Sequence, residues 1–219
     1  MDQERSKAEA DLRVIRSLME RATVYRAISA PAALVAGFLS IVAAGAICLN
    51  GQTGINRAAQ GRVFAVIWLT VLILAVAANA FFIWREAKKD GRAFISSGMK
   101  LSLRAIAPNL LIPAAVTLWF LVSGYKGATE QELVVVWIAF YGLALLSTAL
   151  FAPRSLVCLG WAFLLTALAL PALKNVLGDL PANLPTIAMG LTFGLYHLIY
   201  AACAWPRKRA DAIEQFAVE

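Results

Sequence analysis

The sequence predicts an all-α fold: a polytopic membrane protein built as a six-helix transmembrane bundle with an amino-terminal amphipathic surface helix. Three observations predict it. Six long apolar stretches fill most of the 219 residues. Hydrophobic residues make up 61% of the chain and mean hydropathy is +0.72, against roughly 45–50% apolar residues in soluble domains. The basic residues between the stretches fall almost entirely on alternate sides. A single water-soluble core cannot hide so much apolar surface, so the bilayer must solvate much of it.

A helix needs about 20 apolar residues to cross the hydrocarbon. Residues 1–27 make the expected surface-helix region, 28–205 the membrane domain and 206–219 a polar cytoplasmic tail. Within the membrane domain the spans are expected at 28–49, 63–84, 105–123, 133–151, 156–173 and 184–205, the fifth being the shortest. Each should be helical, because lipid offers no partner to an exposed N–H or carbonyl. No cleavable leader is expected: the first 27 residues carry eleven charges, and the first apolar run is long enough to stay in the membrane.

Orientation follows from the cations. Sixteen of the 20 Lys and Arg residues lie in the amino-terminal segment, in the connections after spans two and four, and in the tail. The remaining four, Arg57, Arg62, Lys126 and Lys174, lie on the other side. The positive-inside rule therefore puts both termini in the cytoplasm, as a multi-pass protein of a bacterial inner membrane would have them. The net charge of +7 is read the same way. Its cations flank apolar spans, which points to anionic headgroups as partners and not to nucleic acid.

Ahead of the first span, Ala8, Leu12, Ile15, Met19 and Ala22 recur at helical spacing, and Arg13, Arg16, Glu20 and Arg21 occupy much of the remaining surface. This predicts an amphipathic helix over 8–26 lying on the cytoplasmic surface. It either packs over the bundle as an anchor or docks a protein partner. Ser29 and Pro31 then suit the first turn of span one. In the basic connection after span two, Gly91 is a plausible helix stop, and Ile95, Met99 and Leu103 are expected on the membrane surface. Cys48, Cys158 and Cys203 share no close spacing and are read as small buried apolar residues, without a disulfide or a metal.

His197 is the only histidine, and it lies inside the sixth span. No Asp, Glu, Lys or Arg lies deep within any span. A titratable group at membrane depth is costly and is a functional candidate for that reason. Gly190 and Gly194 form a small-x-x-x-small pair, the signature of close helix packing, so His197 is expected to face the bundle interior. It is read either as a ligand or proton site, or as a neutral imidazole bonded across helices to Asn79, Asn109, Thr117 or a backbone carbonyl. Haem ligation by this lone histidine lacks a second ligand, and no metal or other cofactor is expected. Pro108 and Pro113 interrupt the third span, giving either a kink or the broken helix of a transporter site. The Tyr141 and Tyr196 hydroxyls need partners if buried.

Several strings occur together: LRVIRSLMERAT from Leu12, WREAKKDGRAFISSG from Trp84, AIAPNLLIPA from Ala105, FYGLALLS from Phe140 and FGLYHLIY from Phe193. In this order, and over nearly the whole chain, they resemble a group of small uncharacterised bacterial six-span inner-membrane proteins. That group has an IR-x-x-MER opening, a proline pair near the start of the third span and G-x-x-H in the last. Here the prolines are separated, and the histidine is His197 after Gly194. The resemblance implies a six-span bacterial membrane protein and supplies no activity, substrate or catalytic residue.

These features exclude an obvious enzyme, since no carboxylate lies in a span to complete an acid, base or metal constellation. The expectation is a non-enzymatic accessory or scaffold component of a membrane complex, acting through the 8–26 helix or as a homo-oligomer. The alternative is a small transporter or channel with its site near His197 and the third span.

Overall fold

The computed structural model describes residues 29–49, 57–89, 91, 95, 97–123, 129–150, 152–178 and 181–205. The predicted helix over 8–26 and the tail 206–219 lie outside these. Among the described residues the fold is all-helical, with six helices: α1 (Ala30–Leu49), α2 (Arg57–Lys89), α3 (Ser97–Ser123), α4 (Glu130–Leu146), α5 (Arg154–Leu177) and α6 (Leu184–Ala204). Five of them, all but α4, are long and apolar enough to cross a membrane.

The helix ends have local causes. The Ser29 hydroxyl accepts from the Ala32 N–H at 3.4 Å ahead of α1. Gly91, with φ of 61°, follows the end of α2, a backbone conformation that favours glycine. α4 opens with a reciprocal cap. The Thr129 hydroxyl accepts from the Glu132 N–H at 3.3 Å, and the Glu132 carboxylate accepts from the Thr129 N–H at 2.8 Å. At its other end the Ser147 and Thr148 hydroxyls donate to the carbonyls of Ala144 and Leu145 at 2.7 and 2.6 Å. Residues 147–150 then form a turn. Hydroxyls that bond nearby carbonyls compete with helix propagation, so α4 stops at Leu146, short of the predicted 151.

Other boundaries also depart from expectation. α3 begins at Ser97, not Ala105, because the stretch MKLSLR carries no breaker, and it takes Met99 and Leu103 into the helix. α5 runs 24 residues instead of being the shortest. Pro108 and Pro113 lie inside a single continuous α3. There the Thr117 hydroxyl donates to the Pro113 carbonyl at 2.6 Å. The three cysteines are exposed, not buried.

The helices form a ring in which consecutive helices touch and α6 returns to α1. α2 and α3 meet least. Phe64 and Trp68 of α2, Val134 and Ile138 of α4, Phe163 of α5 and Tyr200 of α6 share one core. A smaller cluster of Ala65, Leu133 and Phe120 joins α2, α4 and α3.

Glycines allow close helix approach at two interfaces, α4 with α5 and α6 with α1. A Cβ on Gly142 of α4 would lie 2.9 Å from the Gly160 carbonyl oxygen of α5. A Cβ on Gly194 of α6 would lie 2.7 Å from Ile41 Cγ1 of α1, and one on Gly190 would lie 2.9 Å from Ala44 Cβ. Close backbone approach of this kind drives association where lipid removes the hydrophobic force between helices.

Candidate functional site

The sixth helix is not uniform. Residues Gly190–Tyr196 wind as a π-helix between α-helical segments Leu184–Met189 and His197–Ala204. π turns are rare and are frequent at functional sites. Here the segment begins at one glycine of the pair, and its glycine face lies on α1. Thr192, fully buried, donates its hydroxyl to the Ala188 carbonyl at 2.7 Å. The π turn ends at His197, whose ring is buried at 7% exposure.

The ring meets α4. Tyr141 Oη lies 2.7 Å from His197 Nε2. His197 Nδ1 is buried without a hydrogen-bond partner among the described residues. The imidazole tautomer decides the donor: with the proton on Nδ1 the Tyr141 O–H donates to Nε2, and with the proton on Nε2 the ring donates to the tyrosine oxygen.

Aromatic rings enclose the pair. Phe163 of α5 lies with its centroid 4.7 Å from Tyr141 and meets His197 edge-on at 5.7 Å and 82°. Phe193 lies 5.0 Å from Tyr141 and is nearly parallel to His197, at 14°. Each aromatic pair contributes about 0.5–1.5 kcal/mol beyond its buried area. The Gly142–Gly160 contact adjoins Tyr141 and draws α5 close enough for Phe163 to reach it. One turn further along α5, Thr166 Oγ1 lies 2.9 Å from Tyr196 Oη, a second polar link to α6.

The other candidates sit elsewhere. Asn109 donates to the Ala105 carbonyl of its own helix at 3.4 Å. Thr117 accepts from Trp137 Nε1 at 2.8 Å, which ties α3 to α4. Asn79 Oδ1 is buried without a hydrogen-bond partner, as is Trp68 Nε1. The partner recorded for His197 is thus a tyrosine, not one of the amides. Phe163, Phe193 and Thr166 are members of this layer that sequence reasoning missed; their only signal is being aromatic or hydroxylic in an apolar run. Among the described residues no three His, Cys, Asp or Glu side chains are grouped to hold a metal ion.

Chemically, the pair is a neutral hydrogen bond between two helices in an apolar layer, next to an unwound backbone. The architecture is that of a membrane-embedded helical protein. Comparison with protein-family models, with curated proteins and with solved structures finds no match, so no family is assigned.

Proposed function

We propose that the chain is a six-span protein of a bacterial inner membrane, with both termini cytoplasmic, acting as a non-enzymatic accessory or scaffold component of a membrane complex. The observation that carries this reading is the engagement of His197. Its Nε2 is taken by Tyr141 and its ring is packed by Phe163 and Phe193. An imidazole so engaged holds helices together. Two further side-chain bonds support the same reading: Thr117 with Trp137 and Thr166 with Tyr196 join helices.

The count of six rests on α4. Its 17 residues continue into the turn 147–150, and α4 packs between α3 and α5. A span at this position also keeps the 16-to-4 alternation of basic residues intact. Residues 8–26 supply the amphipathic surface on which a partner docks.

The reading is tested by extracting the protein from native membranes in mild detergent. It expects a complex of fixed stoichiometry that persists in His197→Gln. A protein that is monomeric after extraction, and that supports substrate-dependent flux in proteoliposomes, favours the second reading of a small transporter or channel. The observation behind that alternative is the π turn Gly190–Tyr196, an irregular backbone beside the one imidazole.

A further inference from the structure

The end of α2 and the start of α3 carry five cations on two helices joined by a seven-residue connection, 90–96. Arg85, Lys88 and Lys89 end α2, and Lys100 and Arg104 lie in the first turns of α3; all five are exposed. None of them is ion-paired with a carboxylate among the described residues. Lys88 Nζ sits 5.3 Å over the Trp84 ring, and Phe81 packs against the same ring at 6.1 Å.

Below the cations both helices are bare. Only 6% of the most apolar window of α2 and 11% of that of α3 is buried, against 28–39% for α1, α5 and α6. Ile73, Phe81 and Trp84 line one exposed stripe of α2 at helical spacing, ending at Lys88. Lys100, Arg104 and Leu111 line a corresponding stripe of α3. α2 and α3 also meet least of the consecutive pairs.

We infer that this end of α2 and α3 is a binding site for an anionic phospholipid. Charge complementarity names the occupant: a phosphodiester headgroup between the α2 and α3 cations, with acyl chains along the two bare stripes. Trp84 holds the interfacial depth, as amphipathic rings do, and Lys88 reaches outward across it. A zwitterionic lipid fits less well, because its own ammonium repels the five cations. The site rests on the membrane-embedded reading but not on orientation, since the cluster lies at one end of the bundle whichever way the chain inserts.

The test is native mass spectrometry of the full chain in detergent, titrated with phosphatidylglycerol or phosphatidylcholine. Phosphatidylglycerol is expected to be retained preferentially. Lys88→Gln/Arg104→Gln should weaken its binding roughly thirtyfold, on the scale of two basic residues at a membrane surface. Arg62→Gln/Lys174→Gln, two exposed cations at the opposite end of the bundle, should leave it unchanged. Equal retention of the two lipids, or equal loss from both double variants, overturns the site. A periplasmic position for this end in labelling experiments would overturn the topology and leave the lipid result standing.

Discussion

Tyr141 Oη lies 2.7 Å from His197 Nε2, and this contact joins the last third of α4 to the start of the final segment of α6. Three backbone features bring the two side chains together. The Gly142–Gly160 approach pulls α5 onto α4, the Gly190 and Gly194 face lets α6 close on α1, and the π turn delivers His197 at its end. The bond closes a gap that backbone packing has already narrowed.

The glycine approaches give a graded prediction. Gly142→Ala puts a methyl group against backbone atoms, the Gly160 carbonyl at 2.9 Å and the Leu164 N–H at 3.1 Å, which cannot rotate away. It should destabilise by about 1–3 kcal/mol. Gly160→Ala meets mainly the Leu146 side chain and should cost less. Gly45→Ala meets nothing within 4 Å and should be neutral or slightly stabilising, since alanine is the better helix former. Thermal unfolding of the three variants in one detergent checks the order. A Gly45→Ala loss as large as that of Gly142→Ala would remove the packing argument.

Topology is checked by accessibility. With Cys48, Cys158 and Cys203 replaced, single cysteines in each connection are exposed to an impermeant thiol reagent from either side. The connections 85–104 and 147–155 should label from the cytoplasmic side only, and 50–62, 124–129 and 178–183 from the periplasmic side. Periplasmic labelling of 85–104 contradicts the orientation. Same-side labelling of 124–129 and 147–155 removes α4 as a span.

For residues 8–26 the amphipathic pattern predicts that spin labels at Leu12 and Ile15 are shielded from water while one at Arg13 is not. Ile15→Asp should release the segment from its apolar contact, because a charge is then buried without a partner. Equal water access at all three positions ends the amphipathic reading.

Much of the fold is legible in the sequence because length and hydropathy decide it. Runs of about 20 apolar residues have few alternatives to a helix in lipid. The ends are less legible because short-range chemistry sets them. The hydroxyls of Ser147 and Thr148 shorten α4, and the unbroken MKLSLR stretch lengthens α3. Thr129 and Glu132 are a cap signal open to sequence reading, three residues apart before an apolar run.

The site is legible only in part. A lone imidazole beside a glycine pair stands out at once. Its partner lies 56 residues away, and no local period links Tyr141 to His197. Asn109 is an attractive partner on polarity alone, yet its amide reaches the Ala105 carbonyl one turn back, a bond that needs no second helix. The π turn is invisible for a similar reason. It coincides with the seating of Gly190 and Gly194 on Ala44 and Ile41 of α1, a three-dimensional circumstance.

If His197 and Tyr141 act as one interhelical clamp, a double-mutant cycle on unfolding stability shows it most directly. Tyr141→Phe keeps the ring packing and removes only the hydroxyl. His197→Leu removes the ring nitrogen and leaves that hydroxyl buried and unpaired, at a cost of roughly 1–3 kcal/mol. Tyr141→Phe in the His197→Leu background is expected to cost nothing further or to restore stability, with a coupling energy of about 0.6 kcal/mol, the average for polar pairs between membrane helices, and at most about 1.7 kcal/mol. Strictly additive losses, or a His197→Leu protein as stable as wild type, would contradict it.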